Sequence, residues 1–306
     1  MKTLFSTPQI NLTKRTLADR FIVPPFSVFN THQSYWRDRD KYWKDLGIGG
    51  TNGRITSNNG LSYDNRRMDK YAGKGNFNGT SAFSPVLCEI MYKWFCIPKS
   101  KIFDPYAGGI VRGVMAGILD HNYTGCDINE IQVQSNFEEY KKLQNKFNMA
   151  GTVEWLCEDT GTYETCQKFD MVFTCPPYYN LEKYSQDPND LSNATTYCDF
   201  LKKYLHILGI CYNILNDDCF CVYVVSDVRD KNTTEYYGLV ADTVKAGQQV
   251  GFKFYNEIIL YNDTGNLAIV SGDYLNRARK VGRQHQNILV FYKGNPKNIK
   301  EKFGEI

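Results

Sequence analysis

The stretch that decides the fold is Ile102-Phe103-Asp104-Pro105-Tyr106-Ala107-Gly108-Gly109, read with the residues up to Asp127. It reads as a short buried strand running into a turn with adjacent glycines. Val111 to Leu119 then has helical apolar spacing, and Tyr123-Thr124-Gly125-Cys126-Asp127 reads as a second strand ending on a carboxylate. Strand, glycine turn, helix, strand and acid make a nucleotide-binding βαβ unit, in which glycines admit a close ligand and the acid accepts from ribose hydroxyls. The glycines are not spaced GxGxxG, which counts against a dinucleotide. Asp104 would repel a pyrophosphate, but it could pair with a ligand ammonium. Upstream, Val86 to Phe95 has helical spacing. Downstream, strands are expected at Val153 to Leu156, Asp170 to Thr174, Cys219 to Val225, Lys253 to Tyr261 and Asn287 to Tyr292, with a helix from Tyr197 to Leu215. This alternation predicts an open α/β sheet.

The chemistry is concentrated in Asp170-Met171-Val172-Phe173-Thr174-Cys175-Pro176-Pro177-Tyr178. Two prolines at a strand end lack N–H groups and lock φ, so the backbone carbonyls there keep fixed directions. Tyr178 then offers a flat face at the sheet edge. A planar, amine-bearing substrate could stack on that ring while its NH2 donates to a proline carbonyl. The same residues also fit a β-to-loop junction with Tyr178 as a core aromatic.

Three motifs together carry a resemblance. Asp104 to Gly109 resembles the DPFAGSG motif of S-adenosylmethionine-dependent DNA amino-methyltransferases, Gly125 to Ile128 resembles their ribose motif, and Cys175-Pro176-Pro177-Tyr178 resembles their (D/N/S)PPY motif. Asp19 to Val28 and Leu181 to Ser185 are similar to segments of phage and prophage DNA methyltransferases, so the likeness spans about Thr16 to Gly294. It implies a Rossmann-like methyltransferase sheet, mostly parallel with one antiparallel strand, and S-adenosylmethionine as cofactor. It further implies Asp104, Pro105, Tyr106, Ala107, Gly108 and Gly109 at the methionine end, with Phe83, Ser84 and Pro85 closing over it. Asp127 and Ile128 would meet the ribose, and Asp159 and Thr160 the adenine. Asp159 fits a helix N-cap equally well.

The implied reaction methylates the exocyclic amino group of a base flipped out of double-stranded DNA onto Tyr178, in a bacterial host cell. Two acceptors on the amino hydrogens would favour a tetrahedral nitrogen, and by analogy these are the first motif side chain and the next proline carbonyl. Cys175 departs from the pattern because a thiol is a weak acceptor, which leaves more to the Pro176 carbonyl. Thr174-Cys175 is closest to the Thr-Ser version, a lean toward cytosine N4 over adenine N6. RNA or protein glutamine as substrate, or an inactive nucleic-acid-binding homologue, are the alternatives.

Composition agrees with a cytoplasmic enzyme. No apolar run approaches membrane-spanning length, and Met1-Lys2-Thr3 opens no signal peptide. The ten cysteines form no CxxC pair, which predicts neither zinc site nor disulfide framework. Residues 1–80 hold 13 Lys+Arg against 6 Asp+Glu, so the rest of the chain is mildly acidic. Residues 1–80 are therefore expected to form a basic extension that contacts DNA, with 81–294 as the methyltransferase domain and 295–306 as a tail. Within the extension, an extended piece over Arg20 to Asn30 precedes a helix from Ser34 to Leu46, whose Trp36 and Trp43 pack on the core. Gly47 to Gly79 is expected to be a mobile loop. Arg37 and Arg39 on that helix, and Arg277, Arg279, Lys280 and Arg283 in the connection from Asn262 to Gln286, are the candidate phosphate contacts. Asp227 is expected either to line the pocket or to pair with Arg229.

Overall fold

The computed structural model describes residues 16–48, 83–147, 149–181, 184–262 and 267–306; most of the loop expected over Gly47 to Gly79 lies outside them. The strands are β1 (Val28–Asn30), β2 (Lys101–Asp104), β3 (Asn122–Asp127), β4 (Val153–Cys157), β5 (Phe169–Thr174), β6 (Leu215–Val225), β7 (Lys253–Tyr261) and β8 (His285–Lys293). They form one sheet in the order β1-β7-β8-β6-β5-β2-β3-β4. Every pairing is parallel except those of β8, which runs antiparallel to both β6 and β7. The mostly parallel sheet with one antiparallel strand is the expected one.

Alternation along the strands explains why helices cover both faces. On β6, Phe220, Val222 and Val224 join one buried cluster, while Cys219, Cys221, Tyr223 and Val225 join the other. A strand apolar at both parities is buried on both sides. The first face packs α2 (Ser34–Asp45), α3 (Pro85–Phe95), α4 (Val111–Ile118) and α5 (Glu130–Gln144), and the second α6 (Tyr197–Ile214) and α7 (Leu239–Val250). Where α4 crosses the sheet, an added Cβ at Gly113 would lie 2.6 Å from the Trp155 ring. Glycine there lets helix and strand approach closely.

Three peripheral segments are structured. First, residues 16–48 join the sheet and the core, and Trp36 and Trp43 pack there as expected. β1 pairs with β7, and Phe29, Trp36 and Trp43 are buried in the main core. Second, the connection from Asn262 to Gln286 contains a helix, α8 (Leu267–Ala278), which has no buried residue. Its helical spacing is obscured by the cluster of basic residues at its end. Third, the tail is structured: α9 (Ile299–Phe303) sets Phe303 against Phe220 at 5.1 Å between ring centroids.

Strand order reverses about β2: β3 and β4 are added on one side, β5 and β6 on the other. Ligands of open α/β sheets bind at the carboxyl ends of strands beside such a switch point. Asp104, Asp127, Asp159, Cys175 and Asp227 all lie at or just past those ends. Because β8 is antiparallel, its amino end joins them, with Asn287 opposite Val225.

Candidate active site

Asp104 closes β2 and is fully buried. Its Oδ2 accepts from Arg112 Nε (2.5 Å) and from the Tyr123 hydroxyl (2.7 Å). Its Oδ1 accepts from the Thr174 hydroxyl (2.6 Å) and from the Tyr106 backbone N–H (3.2 Å). Four protein donors thus reach its two oxygens, and Asp104 organises the loop. Arg112 reaches it from α4 and also donates to the carbonyls of Tyr106 (2.7 Å) and Ala107 (2.9 Å). Burial is the largest single influence and lowers the guanidinium pKa, but the Asp104 carboxylate together with Tyr123 and Cys175 raises it overall, so the charge is held. The Phe83 ring covers that guanidinium at 4.6 Å. Phe83, Ser84 and Pro85 thus adjoin the glycine turn, with Ser84 capping α3 and Pro85 opening it. Pro105 and Ala107 are buried, and Gly108 and Gly109 are half-buried at the surface of the turn. Tyr106 turns its hydroxyl inward, where it is buried without a partner among the described residues, so only its ring is available to a ligand.

The turn is tied to its neighbours. Gly108 has φ +52°, a conformation that favours glycine. Its N–H donates to Asp127 Oδ2 (2.8 Å), and its carbonyl accepts from Asn136 Nδ2 (2.7 Å). Asp127 Oδ1 accepts from the Asn129 N–H (2.8 Å). Burial outweighs these bonds and pushes the Asp127 carboxyl up to about 6. Ile128 follows it, half-buried. The Thr160 hydroxyl donates to the Pro105 carbonyl (2.7 Å). Asp159 caps the short 3-10 turn after β4 by accepting from the Gly161 N–H (2.8 Å), as the capping alternative expected.

Across the switch point, Cys175 and Pro177 are half-buried and Pro176 buried. The Tyr178 hydroxyl lies 3.3 Å from Cys175 Sγ and 3.5 Å from the Val224 carbonyl, and it accepts from Gln286 Nε2 at 2.8 Å. Asn262 Nδ2 donates to Gln286 Oε1 (3.2 Å), which orients that amide. Burial raises the Tyr178 pKa well above its ordinary value, so the hydroxyl stays protonated. Tyr179 follows with φ +52°, its ring packed against Tyr197, Phe200 and Tyr237.

The expected phosphate contacts divide. Arg39 is taken by the buried Glu89, which it grips with two nitrogens while Trp43 Nε1 donates to the same carboxylate (2.9 Å). That ion pair docks α2 on α3. Arg277 pairs with Asp273 (2.6 Å) on the exposed face of α8. Arg283 pairs with Asp227 (3.7 Å) and donates to Asn287 Oδ1 (2.8 Å), so Asp227 pairs with Arg283 rather than Arg229. Arg37 and Arg279 are exposed and Lys280 is half-buried. Arg112, Tyr123, Asn136 and Gln286 were not singled out by the sequence, and Thr174 only as the neighbour of Cys175. An arginine within the apolar α4, eight residues after Asp104, was the one available signal.

Residues 169–305 match the model of the DNA methylase family of N6/N4 type. No curated protein matches the chain. Among solved structures, a methyltransferase from Pyrococcus furiosus is 16% identical, with 86% of this chain and 100% of that one covered and a TM-score of 0.47. TrmN from Thermus thermophilus is 12% identical over 74% of this chain and 52% of that one, so the chain spans about half its length, at a TM-score of 0.45. The N-methyltransferase NodS from Bradyrhizobium japonicum WM9, in complex with S-adenosyl-L-homocysteine, is 10% identical over 65% and 80%, at 0.39.

Proposed function

We propose that this protein transfers a methyl group from S-adenosylmethionine to the exocyclic amino group of a cytosine or adenine flipped out of double-stranded DNA. One observation carries the reading. The Gly108–Asp127 rim and the Cys175-Pro176-Pro177-Tyr178 loop meet at the sheet's switch point, joined through the Thr174–Asp104 bond. The second of these loops lies inside the DNA methylase match.

The residues fit the cofactor. The Asp127 carboxylate accepts two backbone N–H bonds and keeps further lone pairs for ribose hydroxyls. Asp159 Oδ2 has no protein partner among the described residues, so it can face the adenine end. S-adenosylmethionine supplies an electrophilic methyl group on a sulfonium. The chain's part is to hold the base. Tyr178 stacks it, the Pro176 carbonyl accepts from its amino group, and the protonated Tyr178 hydroxyl stays with Gln286 instead of acting as a base. Positioning and a preorganised polar site then supply the rate.

Mass spectrometry of nucleosides from DNA treated with the pure enzyme tests this. N4-methylcytosine or N6-methyladenine supports it, with cytosine favoured by Thr174-Cys175. Ring-carbon methylcytosine, or methylation confined to RNA or protein, overturns it.

A further inference from the structure

The segment after β6 folds into a hairpin on the rim of the Tyr178 site. Arg229 and Tyr236 form an antiparallel bridge that closes it. At its tip Asp230 accepts from the N–H groups of Asn232 and Thr233 (both 2.7 Å), and Thr234 takes a positive φ of 67°. Two contacts clasp the hairpin onto the chain just past Tyr178. Lys231 Nζ donates to the Asn180 carbonyl (3.1 Å), and the Tyr237 ring meets Tyr179 at 5.0 Å.

On this hairpin the Arg229 guanidinium lies 3.7 Å from the Tyr236 ring centroid, and its Nη1 donates to the Thr234 carbonyl (2.9 Å). Arg283, three residues before the Gln286 that holds Tyr178, lies 5.9 Å from the same ring. Tyr236 is 41% exposed. Of the nearby carboxylates, Asp227 is committed to Arg283 and the Val240 N–H and Asp230 to the Tyr237 hydroxyl and its own turn, while the exposed Glu235 forms no ion pair among the described residues. Among the described residues no carboxylate pairs with Arg229. Arg20, Arg39, Arg112, Arg277 and Arg283 each have one.

We infer that Arg229, stacked on Tyr236 and flanked by Arg283, is a phosphate-binding site that grips the DNA backbone next to the flipped base; this rests on the proposed function. A guanidinium lying on a ring is already ordered, so it loses less freedom when it binds an anion. It has five N–H donors and spends one on Thr234, which leaves a fork suited to two phosphate oxygens. Extruding a nucleotide requires its flanking phosphates to be held. This rim is joined to the Tyr178 loop through both Lys231 and Gln286.

The test is fluorescence anisotropy of the full-length protein on a labelled random-sequence duplex across a salt series. Arg229→Gln should weaken binding several-fold and lower the slope of log affinity against log salt by about one. Arg229→Lys should keep the slope but lose part of the affinity, since an ammonium neither forks nor stacks as well. S-adenosylmethionine affinity should be unchanged in both. If Arg229→Gln keeps the wild-type affinity and slope, the inference is overturned while the methyltransferase reading stands. If the wild-type protein shows no salt-dependent duplex binding, both fall.

Discussion

Asp104→Asn should destabilise the fold before it affects any ligand. The substitution keeps the shape but replaces one oxygen by an NH2 group. Thr174 and Tyr106 can still be satisfied by the remaining oxygen, which leaves the amide nitrogen facing Arg112 Nε and the Tyr123 hydroxyl. The tyrosine hydroxyl can rotate and accept; the guanidinium cannot. Arg112, only 5% exposed, would then be a buried charge with two carbonyls but no counterion. Breaking such a pair from one side costs about 3–5 kcal/mol. With an unfolding entropy of roughly 2 cal/mol/K per residue, this lowers the melting temperature of a chain this size by about 5–8 °C. Thermal melts by near-ultraviolet circular dichroism measure it, alongside calorimetric titration with S-adenosylmethionine. Adding Arg112→Met to Asp104→Asn should recover part of the loss, because the orphaned charge is removed. A normal melting temperature with lost cofactor affinity would refute the reasoning and mark Asp104 as a direct ligand contact.

Tyr178→Ala should abolish most activity, since base stacking is worth about 1–3 kcal/mol. Tyr178→Phe should cost about 1 kcal/mol by orphaning Gln286 Nε2, and adding Gln286→Leu should then cost little more; additive losses in kcat would mean that Gln286 acts elsewhere. Asp127 is raised to about 6 by burial, so its ionisation opposes folding: stability falls as pH rises from the ordinary carboxylate range through 6. Cofactor affinity should rise over the same window as the carboxylate becomes a full acceptor, and Asp127→Asn should flatten both curves in melts and calorimetry. Trp43→Ala should cost about 3–5 kcal/mol through a core cavity and the lost bond to Glu89, read from urea unfolding. By the same logic, deleting residues 1–48 should destabilise the whole domain, not merely remove DNA binding.

The carboxyl ends of the strands around the site were legible because two-sided burial leaves continuous apolar runs such as Cys219 to Val225, and because Gly-Gly and Pro-Pro end them abruptly. The start of β6 was not: it lies at Leu215, four residues before Cys219 and ahead of the polar Asn216-Asp217-Asp218. In the amino-terminal segment the helix and its two core tryptophans were legible, but the strand pairing was not. Val28–Asn30 is too short to show alternation, and its partner lies more than two hundred residues away. Arg39 could not be told from Arg37 by charge, because only the fold brings Glu89 beneath it. The wiring of Asp104 was hidden for the same reason: beyond its own turn, its partners come from α4, β3 and β5, at separations from 8 to 70 residues.

The pairing of β1 with β7 bears on how the chain is made. Synthesis releases Phe29, Trp36 and Trp43 more than two hundred residues before Ile259, yet Val28 finds its register only against that residue. Pairings that distant form late. Until the carboxyl-terminal third leaves the ribosome, these aromatic side chains have only part of their final surroundings, α3 with Glu89 being the earliest. The nascent chain therefore carries this apolar segment without its sheet partner until β7 emerges. Chaperone demand should fall sharply once β7 is complete. A version permuted to place residues 16–48 after Phe303 would bring both strands out together, and it should fold with less aggregation.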